Sequence, residues 1–259
     1  MSAHGIDVSY YQGAIDWERV KPQIDFAIIR CGYGSNLVSQ DDPYFHENAH
    51  ACTRLGIPFG TYLYSYANSL EKACSEARHV LRMVKGHLLE YPLYYDVEDP
   101  MMLSLGPQQL TDIVIAFCEV IEEAGYFVGI YADRNTFTNL LQMNRLTAYD
   151  KWLAEWRDAP SLKPPAIGMW QYSDSGQIDG IDGDVDLNIA YRDYPQIIRR
   201  AGLNGFKDHQ ITYTVQSGDS LWKIAEKYLG GGHLYPQIKS WNALSNDQLV
   251  PGQKLILFV

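Results

Sequence analysis

From its start to about residue 200 the chain alternates apolar, β-like runs with amphipathic helical stretches, the signature of parallel strands joined by crossover helices. The strand candidates are "DFAIIRCG", "PFGTYLYSY", "YPLYYDVE", "YFVGIYA", "KWLAEW" and "IGMWQYS". Between them, Ser69 is placed to cap a helix whose Ala73, Ala77, Val80, Leu81 and Val84 share one face. The stretch "QQLTDIVIAFCEVIEEAG" repeats the pattern with Leu110, Ile113, Val114, Phe117 and Ile121, and Gly125 stops it. So long an alternation predicts an α/β fold closed as a modified β/α (TIM-like) barrel. An open doubly wound sheet fits less well, partly because no GxGxxG follows the first strand.

Near residue 203 the pattern changes. "GLNGFKDHQ" reads as a short, polar, solvent-exposed connector, and "ITYTVQSGDSLWKIAEKYLGGGHLYPQIKSWNALSNDQLVPGQKLILFV" reads as strand, helix, helix, strand. The first of these helices would bury Leu221, Ile224 and Ala225 behind an Asp219 or Ser220 cap, with Leu249, Leu255 and Leu257 in the closing strand region. The expected division is a barrel over 1–202, a linker over 203–210 and a small βααβ domain over 211–259.

Composition narrows the partners. The chain has 259 residues, 46% of them hydrophobic, enough for a sizeable core, and its formal net charge of −10 argues against nucleic acid. In the C-terminal segment four lysines face three acids, so the acidity sits in the larger domain. "MSAHGIDVSYYQG" has neither a basic start nor an apolar stretch, and no run approaches a membrane span, so synthesis in the cytoplasm without membrane insertion is expected. Cys31, Cys52, Cys74 and Cys118 show no CxxC spacing and read as buried thiols.

In a β/α barrel the chemistry lies at the C-terminal ends of the strands. The candidates there are Asp7 in "GIDVSYYQG", Tyr62 and Tyr64, Asp96 and Glu98, Tyr131, Trp156, Gln171, and Asp186 in "GDVDLNIAY". Acids, amides and aromatics recurring in this way suit a sugar. Alternate strand residues leave the same face with Cα atoms about 6.5 to 7 Å apart, so Asp96 and Glu98 can address one substrate. Glycoside cleavage needs one carboxyl that donates a proton and one that stays ionised, and Glu98 has the longer reach for donation. The plainer alternative for such a pair is that the acids cap the following loop.

"YYDVED", together with "GIDVSYYQG", "GTYLYSY" and "WQYSDSGQIDGIDGDVDLN", resembles the glycoside hydrolase family 25 lysozymes, the muramidases also used as phage endolysins, over about residues 4 to 200. The resemblance implies a modified β/α barrel that cuts the β-1,4 bond between N-acetylmuramic acid and N-acetylglucosamine in peptidoglycan. It makes Glu98 the catalytic acid, Asp96 its partner, and Asp7 and Asp186 further acids of the cleft, in direct chemistry or in hydrogen bonding at the rim. Tyr62, Tyr64 and Tyr131 would line sugar subsites, as would Trp156 and Gln171 at their strand ends. Inverting, covalent retaining and substrate-assisted routes all stay open, with the third favoured. No cofactor and no metal are expected.

"YTVQSGDSLWKIAEKY" and "LVPGQKLIL" resemble the opening and closing signatures of a LysM module. That implies binding of N-acetylglucosamine-containing glycans in a groove between two loops, with Gly218, Asp219, Ser220 and Leu221 in the first, and Asn242, Ala243 and Leu244 leading into the second. Without a signal peptide the enzyme would reach the wall through a holin-type lesion or at lysis.

Two other classes compete. "HENAH", residues 46 to 50, satisfies the H-E-x-x-H zinc peptidase pattern, with Glu71 and Glu76 as conceivable third ligands. Yet "IPFGTYLYSYANS" downstream reads as an inner strand, which puts the His46/His50 helix outside the barrel, its Phe45, Ala49 and Cys52 packed inward. A catalytically inactive glycan-binding protein is the third class, and the intact Asp96 and Glu98 argue against it.

Overall fold

The structure is a computed structural model and describes residues 2–206 and 210–258. Eight strands close a barrel in chain order: β1 (Ala3–Val8), β2 (Phe26–Tyr33), β3 (Phe59–Tyr64), β4 (Leu93–Asp96), β5 (Val128–Asp133), β6 (Asp150–Ala154), β7 (Met169–Gly176) and β8 (Val185–Ala190). The helices interleaved with them are α1 (Trp17–Val20), α2 (Phe45–Leu55), α3 (Leu70–Met83), α4 (Pro100–Leu103), α5 (Pro107–Glu123) and α6 (Tyr194–Ala201).

The barrel departs from the expected all-parallel pattern in one strand. β8 runs antiparallel to both β7 and β1, while the remaining neighbours are parallel. The physical reason is the connection: residues 177–184 join β7 to β8 without a helix, and a crossover that returns a strand parallel needs a dozen residues or more. β1 and β8 are also the two strands absent from the candidate runs.

Local sequence rules account for the helices. Ser69 caps α3 by accepting the Lys72 amide proton, and Ala73, Ala77, Val80 and Val84 are buried beneath it. On α5 the whole expected stripe is buried, with Phe117 stacked at 3.8 Å on the outward-facing Tyr95 of β4. Inside the barrel Trp152 forms a floor, with ring centroids 4.6 Å from Tyr131, 5.0 Å from Tyr94 and 6.1 Å from Tyr62; such aromatic pairs contribute about 0.5–1.5 kcal/mol each beyond area burial. Gly129 of β5 makes room for that floor, since a Cβ there would stand 2.4 Å from Tyr94.

The C-terminal unit pairs β9 (Gln210–Thr214) antiparallel with β10 (Lys254–Phe258), and carries α7 (Leu221–Leu229) and α8 (Tyr235–Trp241) between them. Its own core holds Leu221, Ile224, Ala225, Leu255 and Leu257. The expected exposed connector is different: Asn204 and Phe206 are buried, and Lys207, Asp208 and His209 lie outside the described residues. Asn204 holds the chain by donating to the carbonyls of Leu89 and Tyr91 and accepting from the Phe127 amide. Phe258 meets Phe206 at 5.0 Å and Trp241 at 5.2 Å, both edge-on, and the Arg199 guanidinium lies 5.3 Å from the Trp241 ring while pairing with Glu90 at 3.0 Å. Gly56, which ends α2 in the left-handed region, sits so close to Leu234 that a Cβ would come within 2.8 Å. The unit is therefore seated on the barrel at the end where the strands begin.

Candidate active site

β4 ends at Asp96, so Glu98 stands two residues beyond the strand, not on it as the alternation suggested. Asp99 then caps α4 by accepting the Met101 and Met102 amide protons at 2.9 and 3.4 Å. The capping role considered for this acidic stretch thus falls to the third acid. Asp96 and Glu98 are left to line a cleft of about 890 Å³ together with Asp7, Asp186, Tyr62, Tyr64, Tyr131 and Gln171.

Strand pairing brings the outer two acids in. Asp7 of β1 and Asp186 of β8 are directly opposed residues of the antiparallel pair. The Asp7 Oδ2 accepts from Gln171 Nε2 at 3.0 Å and from Asn188 Nδ2 at 2.7 Å. Gln171 is engaged at both ends, since its Oε1 accepts from the Tyr131 hydroxyl at 2.9 Å and from Trp156 Nε1 at 3.2 Å. Asn188 is fixed in turn by Trp152 Nε1 at 2.8 Å. Neither Asn188 nor Trp152 was singled out in the sequence; the amide's place two residues after Asp186 on a half-buried strand was the available signal.

All four carboxyls are pushed above the usual carboxylate range. Burial does most of this for Asp7, followed by the charge of Asp186, and their mutual hydrogen bond favours the proton on Asp7. For Asp96 burial comes first, then Glu98 and Asp7, with Arg30 pulling the other way. Glu98 is raised by desolvation from the cleft walls and then by Asp186, Asp133 and Asp99, although its side chain opens to solvent. Asp96 is 3% exposed and its Oδ1 has no hydrogen-bond partner, an expensive arrangement unless another group completes it.

Arg30, also unread in the sequence, is 7% exposed in the cleft wall, paired with Asp42 at 2.9 Å and 4.7 Å from the Tyr10 ring centroid. Tyr10, Tyr11, Tyr33 and Tyr66 extend the aromatic lining beyond the expected Tyr62, Tyr64 and Tyr131. Trp156 is 59% exposed at the edge, bonded to Gln171 but not among the cleft's lining residues.

In the C-terminal unit the two expected loops are joined by backbone bonds from Val215 to Gln253 and from Gly252 to Val215, each 2.8 Å. Several of the named residues hold the loops themselves. Ser220 caps α7, Asp219 accepts from the Tyr213 hydroxyl and the Gln216 amide, and Leu221 is buried. Asn242 clamps β10 by accepting from the Ile256 amide and donating to its carbonyl, Ala243 is left-handed and exposed, and Leu244 packs partly on the core. Gly218 is exposed and left-handed, its carbonyl accepting from Lys223.

"HENAH" lies on α2, outside the barrel, with Phe45, Ala49 and Cys52 buried and His46 and His50 exposed. Neither acid considered as a third ligand joins the pair. Glu76 is buried against Ser65 and Tyr95, and Glu71 sits in the first turn of α3. His87 does join it: burial and then its neighbours His46 and His50 bring it down to about 4.

The family model of glycosyl hydrolases family 25 matches residues 6–181, and that of the LysM domain matches residues 213–258. The chain is 33% identical over 193 residues to the uncharacterized protein YegX of Escherichia coli K12, covering 72% of this chain and 68% of that one. It is 30% identical over 189 residues to an autolytic lysozyme of Clostridium acetobutylicum, covering 71% of this chain and 54% of that protein. Among solved structures, the modular autolysin LytC of Streptococcus pneumoniae, determined with a synthetic peptidoglycan ligand, aligns with a TM-score of 0.65 at 29% identity, over 73% of this chain and 47% of that one. The chain thus spans about half the length of these last two proteins.

Proposed function

The chain belongs to glycosyl hydrolase family 25 and carries a LysM domain, and from that premise we propose that it is an N-acetylmuramidase. It would cleave the β-1,4 bond between N-acetylmuramic acid and N-acetylglucosamine of peptidoglycan, with the LysM domain holding N-acetylglucosamine-containing glycan. The observation that carries the reading is the gathering of Asp96, Glu98, Asp7 and Asp186 in one aromatic-lined cleft. Asp7 and Asp96 stand at the C-terminal ends of β1 and β4, whereas Asp186, expected at such an end too, stands at the N-terminal end of β8 because that strand runs antiparallel. Its action is at the cell wall. Among the described residues no helix is long and apolar enough to cross a membrane.

Glu98, long and open to the cleft, donates its proton to the leaving glycosidic oxygen. Asp96, deeper and with Oδ1 unpartnered, accepts the N–H of the sugar's 2-acetamido group. The acetamido oxygen then bonds to the anomeric carbon as the glycosidic C–O bond breaks. Water opens that intermediate at the same carbon and returns a proton to Glu98. The charges acting on Glu98 are all acidic and favour its protonated form, as a proton donor requires. Asp96 is held well above its usual range by burial, Glu98 and Asp7, and Arg30 is the neighbour that pulls it back toward the ionised form. Asp7 is held rigid by Gln171 and Asn188 beside this pair. Digestion of purified peptidoglycan followed by borohydride reduction tests the bond assignment: muramitol is expected, and glucosaminitol in its place would refute it.

A further inference from the structure

α2 presents His46 and His50 one helical turn apart on its exposed face. The turn that follows α3 adds His87, whose Nε2 lies 3.3 Å from His46 Nδ1. Ring centroids are separated by 5.6 Å for His46 and His87, 5.2 Å for His50 and His87, and 6.3 Å for His46 and His50. A tetrahedral Zn²⁺ with Zn–N bonds of about 2.0–2.1 Å sets its ligand nitrogens about 3.4 Å apart and, with each centroid about 1.1 Å behind its nitrogen, the rings about 5 Å apart. Two of the three ring separations lie near that figure. The third closes by about 1 Å through rotation of two exposed side chains on adjacent turns, a motion open to surface rotamers.

From this geometry we propose that His46, His50 and His87 form a three-imidazole binding site for a divalent transition cation of the Zn²⁺ class. Among the described residues no three metal-binding side chains already stand as a finished ligand set, so the site is completed when His46 and His50 turn toward His87. His87 is the anchor. Its ring is held by edge contacts from Phe45 at 5.7 Å and Phe59 at 6.3 Å, and its amide donates to the Val84 carbonyl at 3.0 Å. The donor set is nitrogen without thiolate, which suits Zn²⁺, Co²⁺, Ni²⁺ and Cu²⁺ over Mg²⁺ or Ca²⁺.

The site stands on the outer helix layer and shares no residue with the acidic cleft, so it takes no part in glycan cleavage. Its mechanical place is at the seat of the C-terminal unit. Leu88 and Glu90, just beyond His87, and Thr53 and Gly56, farther along α2, line the same crevice as Leu234, Gln237, Trp241 and Phe258. A cation joining α2 to residue 87 would therefore tie together the two barrel segments on which that unit rests. Such a cation binds the folded chain in preference to the unfolded one and so stabilises it.

The test uses the untagged, full-length chain stripped of metal. Calorimetric titration with ZnCl₂ is expected to show one equivalent bound per chain, and His87→Ala to weaken that binding by at least about 100-fold, the upper end for loss of a group that merely supports a ligand. Co²⁺ in place of Zn²⁺ should give the visible d–d absorption of a tetrahedral nitrogen site, lost in His87→Ala. Because His87 is half-buried, the exposed His50→Gln is titrated beside it, and circular dichroism establishes that both variants fold. Absence of saturable binding in the parent chain would overturn the proposal. So would binding that survives both substitutions, which would put the metal elsewhere.

Discussion

Asp96→Asn should make the protein more stable and nearly inactive. Asp96 is 3% exposed, its Oδ1 has no partner, and burial, Glu98 and Asp7 all raise its pKa. A buried polar group left unsatisfied costs about 1–3 kcal/mol, and the amide removes the charge that makes this group most expensive. For a domain of this size 1 kcal/mol moves Tm by about 2–4 °C, so the variant should melt roughly 3–10 °C higher near neutral pH. The sign of the pH dependence follows from the raised folded pKa. Below the unfolded value of about 3.9 the carboxyl is protonated in both states and the penalty is absent. As pH rises through the folded pKa, the parent chain loses stability that the asparagine variant keeps. Thermal melts of both proteins across this range should therefore diverge with rising pH and converge in acid. A variant that melts at or below the parent at neutral pH, or a gap that does not shrink in acid, would refute the reasoning. The parallel loss of kcat ties the instability of this site to its function, the usual trade between a strained active site and a stable fold.

Glu98→Gln should fold normally and lose about 10²- to 10⁴-fold in kcat, the worth of a positioned general acid; retained turnover in the folded variant would remove Glu98 from that role. Because Asp133 helps to raise Glu98, Asp133→Asn should lower that pKa and move the alkaline limb of kcat/KM toward lower pH, and an unmoved limb would show that another group sets it. Deleting residues 208–259 uncovers Phe206 and the Arg199–Glu90 pair; full exposure of one such aromatic costs about 1.5–3 kcal/mol. The remaining barrel should melt roughly 3–10 °C lower, yet still cleave short soluble glycans while losing sedimentation with purified walls. Equal loss on both substrates would mean that the C-terminal unit supports the cleft itself.

Local pattern was enough to read the strands from β2 to β7, the buried stripes of α3 and α5, the caps at Ser69 and Ser220, and the place of Asp96 and Glu98 side by side on one cleft. Each of these depends on neighbours within a few residues, where burial writes its period directly into the chain. β1 and β8 escaped because their apolar positions are few and mixed with polar ones, "AHGIDV" and "VDLNIA", and their pairing is decided by closure of the whole ring. That closure alone sets Asp7 against Asp186 and delivers Asn188, 181 residues away along the chain, to the Asp7 carboxyl. The same limit hid His87 from His46 and His50, and made a buried seat out of a connector whose polar letters suggested solvent. Periodicity says which side of an element is buried; which other element buries it is settled only when every side chain has to share one interior.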